Sequence, residues 1–211
     1  MTRYRTIVAD PPWDHSDGTG YAVTSGFGRT REQRIGGGET TVPPYSSMSL
    51  PEIAAIGIDS IAAPDAHLYL WTTNRYLRHA WDVAEAWGFS GVCVIVWCKP
   101  PAGVMPGGAW GSNVEFCLFA RRGSLPSTGK APGRWYEWPR CRGASVQKGQ
   151  RRSGGHSAKP EAFLDLVEQV SPGPYLEVFA RRARFGWEYA GDGSHGTVEI
   201  PGLRAPGEVA A

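Results

Sequence analysis

The sequence predicts an α/β domain with a mostly parallel sheet. Three observations support this fold class: strand-like apolar runs alternate with amphipathic helical segments, one run is continuously apolar, and no internal repeat or linker divides the 211 residues. A chain of this length can bury a core without disulfides or a metal. The hydrophobic fraction of 41% and the charged fraction of 20% are typical of a globular protein.

The first half of the chain alternates strand and helix. Residues 6–9 form an apolar, β-branched run that ends at Asp10 and two prolines, which predicts a buried strand over residues 4–9. Ser49 and Glu52 have the spacing of a capping box and predict a short helix. Residues 67–72 predict a second strand, after which Asn74 is expected to cap an amphipathic helix.

The second half continues the alternation. The continuous apolar run at 92–98 is typical of a strand buried on both faces of a parallel sheet, and residues 114–120 predict another strand. Pro160 lies in the first turn of an expected helix, which a strand at 175–180 follows. A tight turn leads to a last strand at 187–190, so we expect a C-terminal hairpin.

Two segments lack periodicity. Residues 14–44 are rich in Gly, Ser and Thr, and so long a loop predicts a flexible segment with a function at the active site. Residues 194–211 are rich in Gly and Pro, and we expect a disordered tail there.

A third segment, residues 130–155, is strongly basic. It contains seven Lys and Arg residues, among them Arg151 and Arg152, and a single acidic residue, although the net charge of the chain is only +2. Aromatic side chains, including Trp135, lie among the arginines. Basic residues contact phosphates and aromatic rings stack on unpaired bases, so the pattern predicts a nucleic-acid-contacting loop. A solvated charged loop is the alternative.

An acidic residue, two prolines and a tryptophan follow the first predicted strand, as Asp10, Pro11, Pro12 and Trp13. A carboxylate accepts hydrogen bonds, the prolines stiffen the turn, and an indole offers a stacking face. Together they suit a planar heterocycle rich in donors, such as adenine. Acceptors on the two N–H bonds of its amine, from Asp10 and the Pro11 carbonyl, would free the nitrogen lone pair, while Trp13 would stack on the base. A stiff turn with a buried Trp is the structural alternative.

This motif resembles the signature of the adenine-N6 methyltransferase family that includes the catalytic subunit of the messenger-RNA adenosine methyltransferase and many bacterial and phage members. Further segments match the family in the same order over residues 4–193, and they are 44–49, 68–74, 87–89, 96–99, 112–118, 156–161, 171–181 and 187–191. The resemblance implies one methyltransferase domain over residues 1–193. It also implies a Rossmann-like fold, with helices on both faces of the sheet, and S-adenosylmethionine as the cofactor.

The family's functional residues can be carried over to matching positions. The resemblance implies that the catalytic residues are Asp10, Pro11, Pro12 and Trp13. The implied cofactor-binding residues are Asp10, Lys159, Glu177, Phe179, Arg181, Gly191 and Asp192. The expected substrate-binding residues, including those from the basic segment, are Tyr45, Asn113, Glu115, Trp135, Arg151 and Arg152. Asp192 stands where the family has Asn, so it can accept a hydrogen bond from a ribose hydroxyl but cannot donate one.

The expected reaction is methyl transfer from S-adenosylmethionine to the N6 amine of adenine in DNA. The alternatives are the same reaction on RNA and a catalytically silent, nucleic-acid-binding subunit. The small size resembles that of the bacterial and phage members, which favours DNA, and the intact acidic motif argues against a silent subunit. The chain has no metal-ligand spacing, signal peptide or apolar run of about 18 residues, so we expect no metal, no membrane partner and a cytoplasmic protein.

Overall fold

The computed structural model describes residues 3–13, 47–99, 110, 113–139, 158–180, 183–191 and 196–203. The strands are β1 (Tyr4–Ala9), β2 (Ala62–Thr72), β3 (Ser90–Cys98), β4 (Val114–Arg122), β5 (Trp135–Tyr136), β6 (Tyr175–Val178) and β7 (Trp187–Ala190). The helices are α1 (Leu50–Ala54), α2 (Ile58–Ile61), α3 (Leu77–Ala86) and α4 (Glu161–Val170). Within these ranges, no helix is long and apolar enough to cross a membrane.

The strands form one seven-stranded sheet in the order β5-β3-β4-β2-β1-β6-β7. Strand β1 pairs in parallel with β2 and β6, β6 with β7, and β3 with β5. Strand β4 runs antiparallel to both β2 and β3. The predicted α/β class and mostly parallel sheet are therefore confirmed.

Helices cover both faces of the sheet, as expected for the Rossmann-like methyltransferase fold. Helices α1, α2 and α3 bury Ile53, Ile58 and Ala84 against one face. Helix α4 buries Phe163 and Val167 on the other, together with the indoles of the sheet. Apolar burial on both faces stabilises the interior strand β1, which is the first element of the site.

The connection from β6 to β7 corrects the prediction of a C-terminal hairpin, because the two strands are parallel. Between them the chain returns along α4, where the Arg184 guanidinium binds Glu168 and Asp165. This return brings Trp187 beside Tyr175, on which it stacks, so that the two strands begin at the same edge.

Strand β3 also differs from the prediction that its apolar run is buried on both faces. Among the described residues, only the two-residue strand β5 lies beyond it in the sheet, and 55% of the Val92 surface is exposed. Its longer partner β4 is antiparallel, so this run does not belong to a purely parallel sheet.

The two predicted helix caps have different outcomes. The Ser49–Glu52 capping box is present at the start of α1. Asn74 does not cap α3, because the turn between Thr73 and Tyr76 moves the helix start to Leu77.

Residues 196–203 pack on the domain, which corrects the predicted disordered tail for this segment. Ile200 is buried in the core, and the Pro201 carbonyl accepts a hydrogen bond from the Gly57 N–H at 2.8 Å. The Thr197 N–H donates to the Tyr189 carbonyl of β7, also at 2.8 Å. The segment therefore covers the edge strand of the sheet. The predicted flexible loop at 14–44 lies outside the described residues.

Candidate active site

The carboxyl ends of β1 and β6 meet at a point where the chain connections change face. Helices α1 and α2 lead from β1 across one face, whereas α4 leads into β6 across the other. The last residues of the two strands, Ala9 and Val178, are directly paired. In open α/β sheets a crevice for a ligand lies beyond the strand ends at such a point. Asp10 and Phe179 are the residues that directly follow β1 and β6 at this point.

Four charged side chains meet at this edge of the sheet. Lys159 precedes α4, and its Nζ donates to Asp10 Oδ2 at 2.7 Å and lies 3.4 Å from Glu115 Oε2. Lys99, at the end of β3, donates to Glu115 Oε1. Glu115 reaches the same edge because β4 is antiparallel, so its first residues lie beside the last residues of its neighbours.

These side chains are largely withdrawn from solvent, with 12% of Lys159 and 20% of Asp10 exposed. Burial raises the pKa of Glu115, but the Lys159 and Lys99 ammonium groups outweigh it and hold that pKa below its usual value. Glu115 is therefore an anion at neutral pH. Burial raises the pKa of the adjacent Cys117 thiol well above its ordinary value, so this thiol is neutral and unreactive.

Two buried indoles lie beneath the lysines. Lys159 Nζ lies 5.3 Å from the centroid of the Trp71 ring, and Lys99 Nζ lies 4.6 Å from that of Trp97. The two indoles contact each other edge to face. Since a cation is attracted to the face of an indole, this pair helps to fix both ammonium groups.

The Asp-Pro-Pro-Trp turn is held by its own hydrogen bonds. The Pro11 carbonyl accepts from the Trp13 N–H at 2.9 Å, and the Pro12 carbonyl accepts from the Met48 N–H at 2.8 Å. Trp13 is only 5% exposed. Its Nε1–H donates to the Trp71 carbonyl, and its ring stacks on Tyr76. The structure thus corrects the expectation that Trp13 offers a face to the base: its indole fixes the turn that presents Asp10.

The predicted cofactor residues of the last two strands lie side by side. Phe179, directly after β6, has a positive φ of 65°, and its N–H donates to the Ala190 carbonyl at 2.7 Å. A Cβ on Gly191 would lie 2.6 Å from the Phe179 Cα, so only glycine fits there. Glu177 pairs with Tyr189 across β6 and β7. A strained residue at the switch point is typical of a ligand site.

The predicted substrate residues are only partly brought together. Asn113 contacts Lys99, with its Nδ2 3.4 Å from the Lys99 carbonyl. Both oxygens of Glu115 face lysines, so the structure gives this carboxylate a different environment from the expected base contact. Trp135 is 66% exposed on β5, in the basic segment. The other predicted site residues lie outside the described ranges, and they are Tyr45, Arg151, Arg152, Arg181 and Asp192.

Lys99 lies at a strand end and in a segment that matches the family, but no role in the site was predicted for it from the sequence. A lysine directly after an apolar strand is usually a surface residue, and its partner Glu115 is 16 residues further along. The sequence feature that indicated a role was the position of Lys99 at the end of a strand, at the same edge of the sheet as Asp10. Among the described residues, no group of three or more His, Cys, Asp and Glu side chains is arranged to hold a metal ion.

Comparison with known proteins identifies the family of this chain. The MT-A70 family model matches residues 4–193. The chain belongs to the MT-A70 family. It is 30% identical to the type II methyltransferase M.MunI of a Mycoplasma species over 205 residues, which cover 94% of this chain and 78% of that protein. Membership confirms the resemblance drawn from the motifs and makes the chain a methyltransferase.

More distant MT-A70 relatives are much longer proteins. The human N(6)-adenosine-methyltransferase catalytic subunit METTL3 is 24% identical over 189 residues, which cover 86% of this chain and 26% of that protein. An MT-A70-like N(6)-adenosine-methyltransferase of Drosophila melanogaster matches at 24% over 86% of this chain and 25% of its own length. The chain therefore spans about a quarter of these relatives.

Proposed function

We propose that this methyltransferase transfers the methyl group of S-adenosylmethionine to the N6 amine of adenine in DNA. The observation that carries the proposal is the Asp10 carboxylate, which lies at the switch point of the sheet with its Oδ2 2.7 Å from Lys159 Nζ. The Lys159 ammonium group donates to one oxygen of this carboxylate and fixes its orientation, and carboxylate oxygens accept hydrogen bonds. Asp10 is thus suited to accept from the adenine amine.

The residues at the carboxyl ends of β1 and β6 suit a cofactor that carries both positive and negative charges. S-Adenosylmethionine would supply an electrophilic methyl group to the amine nitrogen, with the electron pair of the broken carbon–sulfur bond going to sulfur and the amine proton passing to water. The Glu177 carboxylate and the Lys159 ammonium group fit a ligand with a sulfonium, an ammonium and a carboxylate. Phe179, Arg181, Gly191 and Asp192 complete the proposed pocket. Positioning supplies most of the rate acceleration in a transfer of this kind.

The fraction of each relative that matches this chain supports DNA rather than RNA as the substrate. The match to the bacterial type II methyltransferase covers 78% of that protein, whereas the match to human METTL3 covers 26%. We propose that Arg151 and Arg152 contact phosphates and that the exposed Trp135 ring stacks on a base, with Asn113 at the target-base side of the site. Tyr45 would close over the adenine.

The test is a methylation assay with labelled S-adenosylmethionine. Unmethylated plasmid DNA and an RNA transcript of the same sequence are incubated with the protein, digested to nucleosides and separated by chromatography. We expect the label in N6-methyldeoxyadenosine. Asp10→Asn should lower the rate on the order of 100-fold or more, because one acceptor is lost, while calorimetry shows cofactor binding within a few fold of wild type.

The outcomes separate the alternatives. Label in the RNA alone would replace DNA by RNA as the substrate. Label on cytosine, or on neither nucleic acid, would contradict the proposed reaction. An Asp10→Asn protein with the full rate would contradict the role of Asp10.

A further inference from the structure

The charged groups at the site form a line in which cations and anions alternate. The order is Lys99, Glu115, Lys159, Asp10, with each neighbouring pair in contact. Two positive and two negative charges make the line neutral. The loss of the charge at one end of the line therefore changes the electrostatic attraction between the charged groups at the other end.

Lys159 lies between two carboxylates that compete for it. Its Nζ is 2.7 Å from Asp10 and 3.4 Å from Glu115, so it is displaced towards Asp10. Glu115 attracts Lys159 with only part of its charge, because its other oxygen accepts from Lys99. With 12% of the Lys159 side chain and 15% of Glu115 exposed, solvent screens these interactions weakly.

Lys99 is held in place from several sides. Its N–H donates to the Asn113 carbonyl at 2.7 Å, its own carbonyl is near Asn113 Nδ2, and its ammonium group lies over the Trp97 ring. The Trp97 ring is fixed in turn, because its Nε1–H donates to the Trp138 carbonyl at 2.9 Å. The Lys99 side chain is thus directed at Glu115 rather than at solvent.

We propose that Lys99 is a positioning residue that acts on Asp10 through Glu115 and Lys159. By neutralising Glu115, Lys99 leaves Lys159 on Asp10 and so fixes the carboxylate that meets the amine. This inference rests on the proposed function, in which Asp10 accepts from the adenine amine. Without Lys99, the uncompensated charge of Glu115 draws Lys159 away from Asp10 and loosens the orientation of the Asp10 carboxylate.

A double-mutant cycle tests this route. Lys99→Met, Glu115→Gln and the double variant are compared in kcat at saturating S-adenosylmethionine and DNA. Lys99→Met should lower kcat about 10- to 100-fold, as expected for a misplaced catalytic group, with the KM for DNA nearly unchanged. In the Glu115→Gln background the same change should alter kcat by less than about twofold, since the competing charge is already gone.

The pH dependence supplies a signature that a merely structural role would not produce. Among the described residues, the charged and titratable groups near Glu115 are Lys99 at the end of β3, Lys159 just before α4, Asp10 beyond Lys159, and the neutral Cys117 thiol of β4. In Lys99→Met, protonation of Glu115 removes the surplus charge just as Glu115→Gln does. Burial raises the pKa of Glu115 and the two lysines lower it, so this pKa should be higher in Lys99→Met than in the wild type. The ratio of variant to wild-type kcat should therefore rise as the pH falls towards the Glu115 pKa of the variant.

Arg3→Met is the matched control, since it removes an exposed cation whose guanidinium binds the Ala62 carbonyl at the opposite edge of the sheet. It should leave kcat and its pH profile unchanged. If Lys99→Met does not fold, the double variant decides: a folded double variant as active as Glu115→Gln supports the coupling, and unfolding in both backgrounds contradicts it.

The remaining outcomes distinguish the inference from the proposed function. An equal loss of kcat in both backgrounds would overturn the route through Glu115. A loss confined to the KM for DNA and to its salt dependence would assign Lys99 to a phosphate instead. A wild-type protein that methylates no adenine would refute the proposed function itself, before any variant is compared.

Discussion

Removal of the Arg184 guanidinium should destabilise the protein measurably. Arg184 lies between β6 and β7 and binds three carboxylates on α4. Two of its N–H groups contact the two oxygens of Glu168, each at 2.9 Å, and others contact Asp165 at 2.6 Å and Glu161 at 3.4 Å. Trp187 Nε1–H donates to the same Glu168 carboxylate. One guanidinium therefore attaches the β6–β7 connection to the helix.

The size of the effect follows from exposure. The Arg184 side chain is 20% exposed and Glu168 is 35% exposed, so a paired charge-assisted contact there contributes about 1–2 kcal/mol after solvent screening. Asp165 and Glu161 are 66% and 57% exposed, and each adds only a few tenths of a kcal/mol. Arg184→Met should therefore lower the free energy of unfolding by about 2 kcal/mol, or the Tm by about 4–8 °C.

Urea unfolding at neutral pH measures this difference, and Arg3→Met again serves as the control. The Arg184 hydrogen bonds, together with that from Trp187, hold the pKa of Glu168 below its ordinary value despite some desolvation. Its contribution is complete above the unfolded-state pKa of about 4.3 and is lost as the pH falls through the folded-state pKa. The difference between wild type and variant should thus shrink below about pH 4 and in about 1 M salt. A difference that is absent, or unaffected by salt and pH, would refute the electrostatic account.

Two further predictions concern the buried histidine and the basic segment. Burial lowers the pKa of His67, and the nearby Arg121 and Arg5 charges lower it further, although the contact with the Leu125 carbonyl acts in the opposite direction. The free energy of unfolding should therefore fall as the pH drops from about 6.5, the ordinary pKa of histidine, towards the pKa of His67 in the folded protein. His67→Gln should flatten that part of a urea-unfolding pH series, and an unchanged slope would refute the assignment. Replacement of Arg151 and Arg152 by Ala should reduce the log–log salt slope of DNA binding by about one to two, whereas Trp135→Ala should weaken binding with little change in slope. Fluorescence titrations at several salt concentrations separate these effects, and an unchanged slope in the double-arginine variant would assign the segment to solvated surface.

The His67 prediction depends on a proton arrangement that the neighbouring groups determine. A carbonyl oxygen only accepts, so His67 Nε2 must carry the proton that it shares with the Leu125 carbonyl at 3.1 Å. The unprotonated Nδ1 then accepts from the Ser171 hydroxyl at 2.8 Å, and Ser171 accepts in turn from the Tyr69 hydroxyl. A second proton on His67 would break this chain of hydrogen bonds, which is why the protein is more stable with a neutral ring.

Features encoded by neighbouring residues were predictable from the sequence. The bounds of β1 and β7 and the Ser49–Glu52 box agree with the structure, because prolines, glycine turns and capping side chains act within a few residues. The position of Asp10 at the end of β1 could be predicted from the sequence for the same reason.

Features that depend on tertiary contacts were not predictable in this way. A short connection between strands favours a hairpin, whereas β7 is parallel to β6 and the connection between them contacts α4 through Arg184. The buried environment of Trp13 depends on Tyr76, more than sixty residues away. Lys99 and Glu115 are adjacent only because β4 is antiparallel to β3, a direction that the apolar pattern of either strand leaves open.

The placement of Lys159 shows how the mixed sheet and the helix combine at the site. Helix α4 leads into β6, so its N-terminus lies at the carboxyl edge of the sheet, and Lys159 directly precedes the N-cap Pro160. The helix dipole disfavours a cation at this end. The carboxylates of Asp10 and Glu115 outweigh that repulsion, and Glu115 is at this edge only because β4 enters the sheet in the opposite direction to β1 and β2. Lys159 therefore occupies a position that the helix dipole disfavours and the two carboxylates favour, which supports the proposed role of Lys159 in orienting Asp10.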